Sequence, residues 1–166
     1  MVVVIIGPMG CGKSTIGKLL AVMLGWDFDD ADDFHPAENV EKMRAGIALN
    51  DNDRLGWLAT LSTRIKLRLE QDSNLVLACS ALKQSYRDIL AIDQKQVVSV
   101  YLKGSADLLK ERLADRSHQY MNDALLDSQL QTLEEPENGL IINIHQSPGN
   151  ICSDIINQLD QQGNRT

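Results

Sequence analysis

Eight residues near the start, Gly7-Pro8-Met9-Gly10-Cys11-Gly12-Lys13-Ser14, follow an unbroken β-branched run, Val2 to Ile6, and lead into a segment with helical apolar spacing. The run suits a strand buried on both faces of a parallel sheet. Ile16, Leu19, Leu20 and Met23 mark a helix from Lys13 to Leu24, stopped by Gly25. The octapeptide fits G-x-x-x-x-G-K-S/T, and a strand before it with a helix behind it is the context that gives this pattern chemical meaning. Gly10 and Gly12 permit torsions and close approach that a side chain would block, so loop N–H groups can converge on phosphate oxygens at the positive end of the helix. Pro8 has no N–H, which leaves the cradle to the later amides. The nucleotide-contacting set is therefore Gly7, Pro8, Met9, Gly10, Cys11, Gly12, Lys13, Ser14 and Thr15. Within it Lys13 reaches the β- and γ-phosphates of ATP and Ser14 ligates Mg²⁺. The alternative, a glycine-rich turn that binds nothing, has eight matched positions against it.

Downstream the chain alternates. A short strand at Trp26 to Asp29 precedes a polar stretch, Asp30 to Asp53, with a weak helix near Glu38 to Arg44. Leu58, Leu61, Ile65 and Leu69 mark a helix between Asp53 and Glu70, and a strand follows at Leu75 to Cys79. A helix near Lys83 to Leu90, a strand Val97 to Leu102, helices at Ala106 to Asp115 and Asn122 to Leu133, and a strand Leu140 to Ile144 continue the pattern. Ser147 and Pro148 suit the N-cap and first position of a last helix carrying Ile151, Ile155 and Leu159, with Gln161 to Thr166 as a frayed tail. Repeated strand–helix units predict an α/β fold with a parallel sheet wrapped by helices. At 166 residues, without repeat or linker, one domain is expected.

A net charge of −7 disfavours a nucleic-acid surface, and no apolar run is long enough to span a membrane or resembles a signal peptide, so a cytoplasmic protein is expected. Cys11, Cys79 and Cys152 lack paired spacing, which argues for free thiols rather than disulfides or zinc.

Phosphate binding alone leaves the reaction open. A switch GTPase would carry an N-K-x-D base-reading motif, which is missing, and the chain is small for a motor ATPase; a small-molecule kinase fits best. Asp30, Asp32 and Asp33 cluster where the second strand's carboxyl end faces the phosphate loop. An acceptor hydroxyl needs a carboxylate to orient it and take its proton, and the metal needs an anion, so Asp30 and Asp32 are candidates for both tasks. Taken alone, the same run reads equally well as a solvated turn. Lys83 and Arg87, four apart on the helix expected there, could hold a carboxylate, and Arg112 and Arg116, also one turn apart, could neutralise charge on the transferred group. Each pair also reads as ordinary surface charge.

Larger segments carry a resemblance. Asp30-Ala31-Asp32-Asp33-Phe34-His35-Pro36 is similar to D-G-D-x-L-H-P, with Asn39, Lys42 and Met43 at the spacing N-I/V-x-K-M. Residues 46–58, GIALNDNDRLGWL, are similar to G-x-P-L-x-D-x-D-R-x-P-W-L; residues 79–88 match C-S-A-L-K-x-x-Y-R-D; residues 125–134 match L-L-x-S-Q…T-L-E. Together they resemble the gluconate kinase family of small P-loop kinases, related to shikimate and nucleoside monophosphate kinases. The resemblance implies the P-loop kinase fold, a five-stranded parallel sheet with a helical lid at about 104–136 and a substrate-binding insertion at about 30–54. It implies ATP- and Mg²⁺-dependent phosphorylation of D-gluconate at its 6-hydroxyl by a homodimer. Carried onto this chain, it gives catalytic roles to Lys13, Asp30, Asp32 and Arg116, metal ligation to Ser14 and Asp30, and nucleotide contact also to Arg112. It gives substrate contacts to Asp32, His35, Arg54, Lys83 and Arg87. This chain departs at Ala31 for Gly, at Ala48 and Gly56 for Pro, and at Ser117 to Met121, where Gln119 takes the place of an expected His. Kinases acting on shikimate or a nucleotide, and a non-catalytic nucleotide-binding regulator, are the competing readings.

Overall fold

The computed structural model describes residues 1–114 and 123–163. Its elements are β1 (Val2–Ile6), α1 (Lys13–Leu24), β2 (Asp27–Asp30), a 3₁₀ turn (Ala31–Phe34), α2 (Ala37–Arg44), α3 (Asp51–Glu70), β3 (Leu75–Ala78) and α4 (Gln84–Ile89). They continue with β4 (Val97–Lys103), α5 (Ala106–Ala114), α6 (Asp123–Thr132), β5 (Leu140–Asn143) and α7 (Pro148–Gly163). Five strands form one sheet in the order β2-β3-β1-β4-β5, and every pairing is parallel.

β1 is central, and its unbroken apolar run is explained by what covers it. Val3 and Ile5 point into a layer with Ile16, Leu20, Leu109, Ile151 and Ile155. Val2, Val4 and Ile6 point into the opposite layer with Trp57, Leu58, Leu61, Ile65 and Leu90. Because successive strand side chains alternate between faces, both must be apolar when helices lie on both sides. Full burial of each such side chain is worth about 1.5–3 kcal/mol against leaving it in water. The same placement puts the carboxyl end of β1 between those of β3 and β4, where loops leaving neighbouring strands open a crevice.

Three expectations shift. Met23 is 45% exposed, and the buried face of α1 is instead Ile16, Gly17, Leu20 and Ala21. Small residues are required there, since a Cβ on Gly17 would come within 2.6 Å of the Phe28 ring. α3 begins at Asp51 rather than Asp53, because Asn50 and Asp53 form a reciprocal capping box. α7 runs to Gly163, so Gln161 is helical and not part of a frayed tail; 164–166 lie outside the described residues. All three cysteines are free and buried. Burial pushes the Cys79 thiol up to about 12 and that of Cys152 to about 11. Among the described residues no helix is long and apolar enough to cross a membrane.

Candidate active site

The turn from β1 into α1 is shaped by positive-φ glycines, Gly10 at 82° and Gly12 at 96°. A Cβ on Gly10 would sit 3.1 Å from both the Leu109 carbonyl oxygen and Leu113 Cγ, so neither torsion nor space admits a side chain there. Gly12 is the left-handed N-cap of α1 and offers no side chain to cap it, and the first turn contains no acid. The first amides of α1 are thus left for an anion, which is the fit a nucleotide phosphate requires. Lys13 Nζ donates to the Pro8 carbonyl at 3.0 Å, bridging the loop it follows. Arg112 on α5 braces the loop, donating from Nη2 to the Ile144 carbonyl at 2.8 Å and from Nη1 to the Cys11 carbonyl at 3.4 Å.

β2 delivers the acids. Ser14 Oγ donates to Asp30 Oδ2 at 2.5 Å, and the Asp32 N–H donates to Asp30 Oδ1 at 3.1 Å. Asp30 is therefore engaged through both oxygens beside the Ser14 hydroxyl, and the two present hard oxygen donors of the type Mg²⁺ takes. Asp32 is uncommitted: its side chain is 75% exposed and lines the cleft described below. The enclosing protein and then the Asp30 carboxylate raise its pKa, opposed by Lys13.

Next along the wall, the His35 ring stacks on Trp57 with centroids 4.2 Å apart at 13°, and Trp57 Nε1 donates to the buried Ala31 carbonyl at 2.7 Å. Burial, followed by the positive charge of Arg54, lowers the His35 pKa to about 4. Arg54 donates to the Tyr86 hydroxyl at 3.1 Å and lies over its ring. That hydroxyl donates to Asp51 Oδ1, which also receives Lys83 Nζ at 2.8 Å. On the far side of Arg54, Asp53 takes Lys42 Nζ at 2.7 Å. Each neighbouring cation is thereby paired, whereas Arg54 has no carboxylate partner among the described residues.

Several of these groups line one cleft of about 410 Å³. The phosphate loop forms its floor, Asp32, His35, Arg54 and Trp57 one wall, Val40, Met43, Ile47 and Leu49 another, and Leu125, Ser128, Gln129 and Thr132 of α6 the roof. A family model described as shikimate kinase matches residues 9–160. A probable gluconokinase of Dictyostelium discoideum is 43% identical over 97% of this chain and 82% of its own length. One from Xenopus tropicalis is 38% identical over 98% and 95%. The crystal structure of a gluconokinase from Sinorhizobium meliloti 1021 superposes with a TM-score of 0.86 at 35% identity, covering 98% of this chain and 93% of that one. The chain belongs to the gluconokinase family. It is a phosphotransferase of the P-loop kinase fold that uses ATP.

For a gluconokinase-family chain, the remaining expected site residues fall in three places. Lys13, Ser14, Thr15, Asp32, His35 and Arg54 share the cleft. Lys83 lies in an adjoining depression with Asn50, Asp51 and Arg54. Arg87 is not among the residues that line the cleft, and it and Lys83 turn to different partners. α4 begins only at Gln84, with Lys83 as its N-cap, and Lys83 Nζ goes to Asp51. The Arg87 guanidinium is turned inward, 3% exposed, donating to the Ala81 and Leu82 carbonyls and to Gln84 Oε1. There it satisfies the carbonyls of a loop whose Ala81 has a φ of 39°. Arg116 and the Ser117 to Met121 segment lie outside the described residues.

Gln129 went unassigned in the sequence. Its Oε1 accepts the Met9 N–H at 2.7 Å, tying α6 to the phosphate loop across 120 positions. Such a contact has no local spacing to betray it.

His35 also sets a pH dependence. Its folded pKa of about 4 lies below the ordinary 6.5, so between these values the unfolded chain binds the extra proton. Its contribution to stability is constant above pH 6.5, is lost progressively as pH falls from 6.5 to 4, and levels off below. Melting temperatures measured across this window should decline more steeply for the parent than for His35→Gln; equal slopes would contradict the buried neutral ring.

Proposed function

We infer that this kinase transfers the γ-phosphoryl group of ATP to the 6-hydroxyl of D-gluconate. The observation that carries the reading is that a phosphate loop, an uncommitted carboxylate and a guanidinium without a carboxylate partner among the described residues face one small cleft in a chain of this family. Gluconate is a polyol carboxylate: Arg54 suits its acid group through a bidentate fork, and Asp32 and His35 suit hydroxyls. Lys13 and the α1 amides hold the phosphates and neutralise charge that develops on them. Asp32 orients the acceptor hydroxyl and accepts its proton as the oxygen bonds to phosphorus and the bond to the β-phosphate oxygen breaks, releasing ADP. Asp30 is less suited to that task because both its oxygens are engaged. Mg²⁺ held at Ser14 and Asp30 would supply further charge neutralisation on the phosphates. In the same reading the enzyme is a cytoplasmic homodimer.

Coupled ADP release with ATP, Mg²⁺ and a panel of gluconate, other sugar acids, shikimate and nucleoside monophosphates tests the acceptor. Turnover confined to gluconate is the expected result. Preference for shikimate would keep the phosphate-loop argument and discard the acceptor, and no turnover with any acceptor would favour a nucleotide-binding regulator.

A further inference from the structure

We propose that Asn39 is a positioning residue that holds His35 as its Nε2–H tautomer, so that His35 and Asp32 together grip one hydroxyl of the acceptor beside the one that reacts. This specificity role rests on the polyol-acid reading above. Asn39 lies in the first turn of α2, 3% exposed. Its Nδ2 donates to the Asp53 carbonyl oxygen at 2.7 Å. A carbonyl only accepts, so the NH₂ end of the amide faces α3 and His35. The same Nδ2 is 3.3 Å from His35 Nδ1. An NH₂ group has no acceptor to offer, so Nδ1 is the bare ring nitrogen and the proton resides on Nε2. Stacking on Trp57 fixes the ring plane, Trp57 is itself pinned to Ala31, and the contact with Asn39 sets which edge of the ring faces α2.

Nε2 stands 3.8 Å from Asp32 Oδ1. That is too long for a direct hydrogen bond and suits two groups that share a third atom. A hydroxyl oxygen serves both at once: its lone pair accepts from Nε2–H and its hydrogen goes to the carboxylate. A carbonyl would satisfy only the histidine and an ammonium only the aspartate, so the pair selects hydroxyls. Asp32 keeps its second oxygen for the reacting hydroxyl, which places the gripped group on a neighbouring carbon of the polyol. The depressed pKa of His35 agrees with a ring that stays neutral, and hence tautomerically defined, near pH 7.

Two measurements test this. In ¹⁵N NMR of the intact protein labelled at histidine, without substrate, His35 should show a protonated Nε2 and a bare Nδ1. In Asn39→Asp, whose ionised carboxylate can only accept, the proton should move to Nδ1. In steady-state kinetics the same variant should raise the KM for gluconate about tenfold or more, the scale of one lost hydrogen bond, with the KM for ATP within about twofold of the parent. His35→Gln, which keeps a donor near the Nε2 position, should lose less than His35→Asn, and this pair decides the matter if Asn39→Asp does not fold. A native ring protonated on Nδ1, a gluconate KM unchanged after the tautomer has moved, or equal losses in the two His35 variants would overturn the proposal. The NMR result needs no acceptor, so it is separable from an error in the substrate; should the panel identify another hydroxyl acceptor, the KM comparison is made on that one.

Discussion

Replacing Lys13 by alanine is expected to lower kcat by roughly 10³-fold while shifting Tm by no more than about 4 °C. The ammonium follows the last glycine of the loop and makes a single hydrogen bond, to the Pro8 carbonyl, so its removal takes little from the fold. The core beneath it, Ile16 and Leu20 against Val3 and Ile5, is untouched. In the proposed mechanism what is lost is a positive charge that meets the transferred phosphate, and 10³-fold corresponds to about 4 kcal/mol of transition-state stabilisation. Steady-state turnover with circular dichroism melting on the same preparation checks both halves. Retention of most activity would remove the phosphate loop from the chemistry, and a collapse in Tm would make the kinetic loss a folding effect.

Asp32→Asn is expected to reduce kcat by about 10²- to 10⁴-fold, the range for removing a positioned general base. The amide is nearly isosteric and the side chain is open to the cleft, so packing is spared; the lost property is the ability to take a proton. The pH dependence separates this from a binding defect. The carboxyl, raised by its enclosure and by Asp30, should in the parent enzyme give a kcat that falls on the acid side as Asp32 protonates. In the variant that limb should flatten. Asp30→Asn provides the contrast, because its oxygens serve Ser14 and the Asp32 N–H, so it should raise the Mg²⁺ concentration required for activity. A kcat within tenfold of the parent in Asp32→Asn would transfer the base to another group.

The phosphate loop, the parallel sheet and the order of elements could be read from the chain because each is local. A buried strand needs an unbroken apolar run, a helix repeats every 3.6 residues, and a phosphate cradle needs glycine where φ is positive. Val2 to Leu24 contains all three signals within 23 residues. Asp30 and Asp32 were legible as candidates through their short spacing after a strand, and His35 through the family resemblance. Their separate tasks were not, since the distinction depends on which carboxylate Ser14 meets and which one is left facing the cleft.

Tertiary structure decided the cations. Lys83, Arg87, Arg112 and Arg54 look alike in sequence, as basic residues each within about one helical turn of another charge. Folding pairs Lys83 with Asp51, turns Arg87 onto the Ala81 and Leu82 carbonyls, sets Arg112 against Cys11 and Ile144, and leaves Arg54 without a carboxylate partner among the described residues. A long flexible side chain takes its role from the nearest group that can satisfy its charge or its donors, and here those groups lie up to 101 positions away. Backbone signals are written in neighbouring residues and survive in the sequence, whereas the use of a charge is settled only by which distant oxygens the fold brings beside it.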